Sequence, residues 1–563
     1  MLTRNMQTIG TGSHSETYRI FLVICILSFA VFAVSLGGDF IMDEVPGFVE
    51  STMIKSIKYW PSYFTTGLLE NTSLGLKDQF LYRPLNLLYA SIMYHIFGLR
   101  PFMFHLMNVL LHTANSIMVF FLARTILKTK DTFLPSCAAL LFVLHPVHVE
   151  AVAWIGGGVD VFMTFLFLLS FLSYVRYRRD HHLRFFIFSC FLYVLDLLYK
   201  ETAIILPALV FLYDFTEERK VYWKRLAVLF LISVVYFIVR TSVLGKSLGT
   251  LKYSVQGLQN VLHLVLLDIK FLFFPWPMGY KFQMPKIDFG AFVALPVFIV
   301  LLIFAIKKNR KTLFPALWIF VPLAPPLMLA FASHPVFGDR FLYLPSIGFV
   351  IILASLFDRL RRDRKTLIVL CSLLAFWGAV TAVSSSLWKN DEIVYSRAIR
   401  NSPKYIGPYV GLALYYERKG QFEKSVNTYL MAVENLEGRY KAAAYDNIAY
   451  LYGTRGYSKE SIFYYKKELE IDPQSTDALI GLGNNYLSLK EYAKAIDYYM
   501  SVLPLSGKNL TAYFNLALAY EGMGNEARAA FYYRKFIAEA PPEKYRDNIE
   551  QAQRALESYR KAR

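Results

Sequence analysis

Cysteine is scarce in this chain: four residues in 563, at Cys25, Cys137, Cys190 and Cys371. All four lie in apolar stretches and none in the polar C-terminal third, so no disulfide framework is expected. Charge is scarce as well. Asp, Glu, Lys and Arg make up 18% of the residues, against about 25% in soluble domains, while 55% are hydrophobic and mean hydropathy is +0.37. That shortage excludes intrinsic disorder and an ordinary soluble enzyme, because so much apolar surface cannot all be folded inward. Acidic residues fall short of basic ones, leaving a net charge of +18. In a soluble protein that surplus would point to nucleic acid. Here much of it sits in short clusters between apolar runs, where it reads as membrane topology, and no nucleic-acid partner is expected.

What the chain does have is apolar runs near membrane-spanning length, recurring from Tyr18 to Trp388. Residues 1–19 read as a cytoplasmic N-terminus. The run Ile20–Leu36 lacks a small-x-small cleavage site and reads as a retained anchor. The basic clusters are Lys128/Lys130, Arg176/Arg178/Arg179/Arg184, Arg219/Lys220/Lys224/Arg225, Lys307/Lys308/Arg310/Lys311 and Arg359/Arg361/Arg362/Arg364/Lys365. Keeping each of them cytoplasmic requires an even number of crossings between them. Spans near 20–37, 101–126, 133–146, 159–176, 185–200, 201–215, 226–244, 290–306, 312–332, 343–358 and 365–386 obey that rule. The expectation is therefore about eleven spans within residues 20–388, with a first outer loop at 38–100. Stretches 83–98 and 257–275 break the parity if they cross. The second carries Gln256, Asn260, His263 and Lys270 along one stripe, which suits a helix at the interface or buried against other helices.

Beyond Trp388 the chain turns charged, Tyr-rich and helix-periodic, so the fold class is all-α throughout. A 34-residue pattern starts at Ile406, Ala442, Thr476 and Leu510. Each unit carries a large-then-small pair (Leu412-Ala413, Ile448-Ala449, Leu482-Gly483, Leu516-Ala517). Tyr416, Tyr452, Tyr486 and Tyr520 follow, then Tyr429, Tyr465, Tyr499 and Tyr533. This is the tetratricopeptide pattern, which predicts a solenoid over 389–543 with repeats 406–439, 442–475, 476–509 and 510–543. A half repeat at 388–405 precedes them, and a polar capping helix at 544–563 closes the array.

Ionisable residues gather in the segments assigned to the outer face. They are Asp43-Glu44, Arg83-Pro84, His145-Pro-Val-His148-Val-Glu150, Asp160, Lys200-Glu201 and the loop from His334 to Tyr343. A charge held at mid-bilayer costs about 2.5–3.5 kcal/mol on insertion scales, so such residues collect where water or a polar ligand meets them. Six loops placing them on one face predict a single extracytoplasmic cavity. Each also has a plain reading. Asp43-Glu44 can be a solvated loop start, Arg83-Pro84 a helix start, and Asp160 a helix cap after Gly156-Gly157-Gly158. Lys200 with Glu201, and Asp339 with Arg340, read as neutralised neighbour pairs. His145, His148 and Glu150 have a spacing that permits a metal site, but Pro146 argues against a regular helix there. His95, His105 and His112 read as structural. Asn71-Thr-Ser and Asn509-Leu-Thr fit N-glycosylation acceptors.

Taken in order, the motifs resemble the transmembrane-and-tetratricopeptide protein O-mannosyltransferase family, within the C-type (GT-C) glycosyltransferase superfamily. The resemblance is carried by Met42-Asp43-Glu44, Tyr82-Arg83-Pro84-Leu85, His105-Leu-Met-Asn108 through His112, and Leu144-His-Pro-Val-His-Val-Glu-Ala-Val152. It continues through Gly158-Val-Asp160, Tyr199-Lys-Glu-Thr-Ala203 and Asp339-Arg-Phe-Leu-Tyr-Leu-Pro-Ser346. One departure stands out: the family's Gly-Arg-Ala-Asp appears here as Gly157-Gly158-Val159-Asp160, so the arginine is a glycine.

The resemblance implies a polyprenyl-phosphate sugar as donor and an acceptor hydroxyl, here protein Ser or Thr, arriving from the aqueous side. Such a transfer needs one base for the acceptor proton and fixed positive charge at the departing phosphate, not a strong general acid. On that reading Asp43 is the base and Glu44 positions it or the acceptor. Arg340, Lys200 and Arg83 take the phosphate. His145, His148, Glu150, Asp160, Glu201 and Tyr343 shape the sugar and acceptor pocket. A divalent metal, Mg or Mn, bridging Asp43 and Asp160 is a further implication. The expected partners are the lipid bilayer, the lipid-linked sugar and an acceptor peptide in the tetratricopeptide groove. The expected compartment is a bacterial inner membrane with the solenoid in the periplasm, or the endoplasmic reticulum with it in the lumen. A glycan or lipid acceptor, a non-catalytic scaffold and a lipid-sugar transporter are the alternatives. Eleven spans with polar outer loops exceed what a scaffold's anchor needs, and no internal duplication of the transporter kind is present.

Overall fold

The computed structural model describes residues 11–68, 81–245, 255–276, 279, 286–308, 312–331, 337–357 and 363–561. Asn71, His334, Arg310, Lys311, Arg359, Arg361 and Arg362 lie outside them. Among the described residues there are helices and turns but no strand, as the all-α reading requires. The chain divides into two units, Met1–Arg397 and Ala398–Arg563.

The first unit holds α1 (Thr11–Phe32), α2 (Pro84–Phe97), α3 (Pro101–Ile126), α4 (Phe133–Leu144), α5 (Val149–Ala153), α6 (Gly158–Asp180), α7 (Leu183–Tyr199) and α8 (Leu206–Tyr213). It continues with α9 (Trp223–Leu244), α10 (Val255–Phe273), α11 (Phe289–Lys308), α12 (Leu313–Phe320), α13 (Ala324–Phe331), α14 (Ser346–Leu356) and α15 (Arg364–Ser385). Prolines mark several starts: Pro84 and Pro101 open α2 and α3, where the missing N–H has no intrahelical partner to lose. Packing at the centre is dense, with Val119, Phe120, Phe142, Val143, Phe167, Phe171, Ile347 and Val350 all at 0% exposure. The outer helices turn apolar side chains outward instead, such as Leu22 and Ile26 on α1 and Phe230, Leu231 and Ile238 on α9. Patches of that kind suit lipid, not water. The chain is an integral membrane protein.

By length and composition, six described helices can cross a membrane: Ser15–Phe32, Pro101–Ile126, Gly158–Asp180, Trp223–Leu244, Leu313–Phe331 and Arg364–Trp388. The pair Phe133–Leu144 and Pro146–Ala153, bent by 49° at His145-Pro146, makes a seventh if it counts as one span. Among the described residues this does not reach the expected count of about eleven, and the shorter apolar helices Phe289–Ile303 and Ser346–Leu356 stand beside these. Helix α8 continues tighter and wider helical turns on either side, Glu201–Ile205 and Asp214–Glu218, so the helical stretch there is longer than its regular part. Helix α14 shows why hydropathy alone does not fix the count. It is apolar on every side because protein surrounds it, with Ile347, Val350 and Ala354 at 0% exposure, and a sequence cannot tell that from lipid. Helix α10 packs against α11 and α13, burying Asn260 and Lys270 of its polar stripe.

Helix α16 (Asp391–Asn401) carries the division between the units. The second unit is built of helix pairs: α17 (Gly407–Arg418) with α18 (Phe422–Asn435), and α19 (Gly438–Gly453) with α20 (Ser458–Ile471). Next come α21 (Thr476–Ser488) with α22 (Tyr492–Ser506) and α23 (Leu510–Gly522) with α24 (Glu526–Glu539), followed by α25 (Pro542–Lys561). Small residues on one helix admit tyrosines from the next. A Cβ at Gly483 would collide with the Tyr499 ring, and Tyr499 is fully buried. A repeated stack holds three of the pairs: Tyr452 on Tyr464, Tyr486 on Tyr498 and Tyr520 on Tyr532, with centroids 5.5–5.8 Å apart and rings within 4° of parallel. Between paired helices the backbone turns left-handed, at Gly420, Gly456 and Gly524.

Candidate functional site

The loop after α1 delivers Asp43 and Glu44, and it is tightly held. The Asp39 N–H donates to the Lys389 carbonyl at 2.8 Å, and the Met42 N–H donates to Asp391 Oδ1 at 2.8 Å. Met42 itself sits at φ 54°, a left-handed conformation that a non-glycine residue keeps only when its surroundings impose it. The Glu44 carboxyl, 2% exposed, accepts from the Ile41 N–H at 2.7 Å and the Gly156 N–H at 2.5 Å. Burial pushes its pKa well up against the opposing pull of the two N–H donors, and the neighbouring Asp391 and Asp43 carboxylates push it further. Asp43 turns toward solvent, yet enough protein surrounds it that desolvation raises its pKa too, with the Arg340 guanidinium opposing the rise.

Arg340 joins this loop to the interior. Its Nη1 donates to Glu150 Oε1 at 2.7 Å, while the Asp339 N–H donates to Glu150 Oε2 at 2.7 Å. Its Nε lies 3.8 Å from Asp160 Oδ2, and its Cζ sits 5.0 Å from the Trp154 ring. Lys200 pairs with Asp160 as a buried ion pair and lies 5.6 Å from the Phe341 ring. Arg83 grips Glu201 through two bonds, Nε to Oε2 at 2.8 Å and Nη2 to Oε1 at 2.5 Å. The structure thus brings Glu150, Asp160, Lys200 and Arg340 into one linked cluster, with Arg83 and Glu201 beside it and Asp43 within reach of the Arg340 charge.

The neighbour pairs expected from sequence do not form. Lys200 turns from Glu201 to Asp160, and Arg340 turns from Asp339 to Glu150, because only distant segments bring an acceptor to the end of each side chain. Among the three cations Arg340 is the most exposed, with 22% of its side chain open against 16% for Arg83 and 4% for Lys200.

His145, His148 and Tyr343 lie elsewhere. All three are at 0% exposure in the packed layer formed by α3, α4 and α14. His145 Nε2 bonds the Leu272 carbonyl at 3.0 Å and its Nδ1 accepts from the Val147 N–H, which closes the bend after α4. His148 Nε2 meets Ser346 Oγ at 2.8 Å. The Tyr343 hydroxyl meets His112 Nδ1 at 2.7 Å. These groups face protein, at the start of α5, which carries Glu150, and at the end of the turn that carries Arg340. Among the described residues no three His, Cys, Asp or Glu side chains gather to hold a metal. Asp160 is already neutralised by Lys200, so as arranged it does not fit a bridge to Asp43 through a divalent ion.

Four residues escaped the sequence reading: Trp154, which Arg340 covers and which stacks on Trp388 at 5.6 Å; Phe341, between Lys200 and Arg340; Asp391, which anchors Met42; and Asp268 on α10. Nothing local in the sequence marks them. Two clefts adjoin α10. One, with about 270 Å³ of empty space, is wholly apolar and lined by Phe273, Phe298, Leu301, Leu302, Phe349 and Ile352 among others. The other lies beside Phe341.

A tetratricopeptide repeat family model matches residues 442–475, 476–509 and 510–542. The human protein O-mannosyl-transferase TMTC3 is 23% identical over 86% of this chain and 64% of its own length. The human protein O-mannosyl-transferase TMTC1 is 25% identical over 80% of this chain and 54% of its own length. The Caenorhabditis elegans protein O-mannosyl-transferase F38B6.6 is 22% identical over 69% and 59%. The chain therefore spans between about half and two thirds of the length of these three relatives. Among solved structures, ArnT from Cupriavidus metallidurans bound to undecaprenyl phosphate aligns with 95% of this chain and 82% of its own at 13% identity, with a TM-score of 0.35. The resemblance to protein O-mannosyltransferases read from the motifs is borne out by these relatives.

Proposed function

We propose that this chain is a membrane glycosyltransferase that moves a hexose, mannose first among candidates, from a polyprenyl phosphate to a protein Ser or Thr hydroxyl on the extracytoplasmic face. The observation that carries the reading is the placing of Arg340, stacked on Trp154 and fixed by Glu150, within electrostatic reach of the outward-turned Asp43. The likeness to relatives named protein O-mannosyl-transferases supports it.

In this mechanism the acceptor oxygen attacks the anomeric carbon and its proton passes to Asp43, whose raised pKa makes it a stronger base than a free aspartate. The bond from the anomeric carbon to the phosphate oxygen breaks, and the polyprenyl phosphate leaves as an anion needing no proton. Arg340 meets the charge developing there with N–H groups that Glu150 leaves free. Lys200 adds positive charge from behind Asp160. Glu150 and Asp160 hold these cations in place before the substrate arrives, so little reorganisation is needed during the step. Glu44, buried and bonded to two backbone N–H groups, fixes the loop and takes no proton from the acceptor. The apolar cleft at Phe273 and Phe298 suits the isoprenoid tail. The tetratricopeptide unit would hold an extended acceptor segment, raising its local concentration.

The test supplies purified protein in lipid with radiolabelled polyprenyl-phosphate sugars and an envelope extract. Label should enter protein with wild type and not with Asp43→Asn. Label entering lipid or glycan would change the acceptor. No transfer from any donor, with partners co-purifying on the solenoid, would favour the scaffold.

A further inference from the structure

The charged cluster has a cleft next to it. About 220 Å³ of empty space is bounded by Leu264, Asp268, Pro326, Phe337, Gly338 and Phe341. Part of that space is open solvent at its mouth, so the cleft is a shallow one. Phe341 is the shared wall: the same ring lies 5.1 Å from Arg340 Cζ and 5.6 Å from Lys200 Nζ. Gly338 is the second link, since a Cβ built there would lie 3.0 Å from Glu150 Oε1. Cleft and cluster are contiguous.

Asp268 is the polar side chain in this lining. It is only 7% exposed, and among the described residues it has no hydrogen-bond or ion-pair partner. Burial, with Asp339 alongside, pushes its carboxyl up to about 8. A buried carboxyl without a partner is destabilising, and native proteins keep such groups where a ligand completes them. The surroundings say what kind of ligand. Aromatic rings at Phe337 and Phe341 suit the C–H face of a pyranose, while the two oxygens of one carboxyl suit its hydroxyls. Nothing in the lining suits a second charge.

We infer that Asp268 binds hydroxyls of the transferred hexose in this cleft, between Phe337 and Phe341, and so determines which sugar the protein accepts. This rests on the glycosyl-transfer reading above, and it places the sugar on the Phe341 side of Arg340 with the anomeric carbon toward Asp43.

The test uses the full chain in lipid with polyprenyl-phosphate mannose and its monodeoxy analogues, comparing wild type with Asp268→Asn and Asp268→Leu. Wild type should penalise one deoxy donor by about 10- to 100-fold in kcat/KM. Asp268→Leu should lose that factor on the parent donor and treat parent and analogue alike, while its melting temperature stays level or rises because a buried carboxyl is gone. A variant that keeps the wild-type preference among donors overturns the inference and leaves the transferase reading intact. If wild type moves no sugar at all, the transferase reading fails, and donor-induced thermal protection decides the cleft. Protection in wild type but not in Asp268→Leu supports sugar binding there, and equal or absent protection in both refutes it.

Discussion

Glu150 holds Arg340 by a 2.7 Å bond to Nη1 and holds the neighbouring Asp339 N–H by a second bond of the same length. One carboxylate, 4% exposed, therefore fixes both the side chain and the backbone of the segment that presents the guanidinium. Removing it leaves Arg340 with Asp160 at 3.8 Å and the Trp154 and Phe341 rings as remaining contacts. Deleting a donor that acts in the transition state typically costs ~2.7–4 kcal/mol, so Arg340→Ala should lower turnover about 100-fold or more. Glu150→Ala should cost most of that while Arg340 is still present, and Glu150→Gln should recover part of it. Transfer assays on the three variants check the order. Glu150→Ala at wild-type turnover would remove Arg340 from the mechanism.

The pH dependence follows from Asp43. Its pKa is raised by burial and held down by Arg340, and the base works only when ionised. Transfer should therefore rise with pH along an acid limb centred above the ~3.9 of a free aspartate. Arg340→Ala removes the opposing charge, so the limb should move to higher pH. Arg340→Lys keeps the charge, so its limb should stay near that of wild type even if the rate falls. Glu44→Gln should leave the limb in place, because burial and Arg340, not Glu44, set the Asp43 pKa. A limb that moves to lower pH in Arg340→Ala would assign the base to another group.

Much of the cluster was legible because ionisable side chains stand out in apolar sequence. Asp43, Glu150, Asp160, Lys200 and Arg340 all stand out on that ground; the last four meet, and Asp43 feels the Arg340 charge. Their pairings were not legible. Lys200 finds Asp160 at 40 residues' separation, Arg340 finds Glu150 at 190, and Arg83 finds Glu201 at 118, while sequence neighbours are passed over. His145, His148 and Tyr343 show the opposite failure. A histidine bonded to a carbonyl under 0% exposure reads in sequence like one facing a ligand. Asp268 was missed because it sits among Lys270 and apolar residues as an ordinary member of an amphipathic helix. Six or seven of the described stretches are long and apolar enough to span, against about eleven expected, and hydropathy records burial without saying whether lipid or protein does the burying.

Gly158 stands where the resembled family has arginine, and the structure gives a reason. A Cβ at Gly158 would collide with the Asn108 side-chain amide, which donates to the Trp154 carbonyl at 3.2 Å and holds the turn before α6. Here Asn108 fills the place that the larger side chain would need. Gly158→Arg should therefore not add a phosphate contact. It should destabilise by about 1–3 kcal/mol through overpacking and lower transfer with it. Gly158→Ala should show the same sign at smaller size and be partly relieved by Asn108→Ala. Gly37→Ala, with open space at its Cβ, is the neutral control. Melting temperatures of the four proteins in lipid decide it, and a Gly158→Arg variant as stable as wild type would refute the packing argument.

Lys490 occupies the solenoid turn where Gly420, Gly456 and Gly524 stand in the other units, and it adopts the same left-handed backbone at φ 62°. A side chain with a Cβ is strained there by about 1–2 kcal/mol relative to its usual conformations, whereas glycine is not. Lys490 is exposed, so its replacement breaks no packing. Lys490→Gly should thus stabilise the tetratricopeptide unit, by about 0.5–1 kcal/mol once the greater freedom of glycine in the unfolded chain is counted. Gly456→Lys should cost a comparable amount, since φ there is 80°. Because repeats couple mainly to their neighbours, the effect should appear as a shift in the solenoid's own urea transition, with unchanged turnover on saturating acceptor. A Lys490→Gly protein whose solenoid unfolds at lower urea than wild type would show that the lysine contributes more through its side chain than its backbone conformation costs.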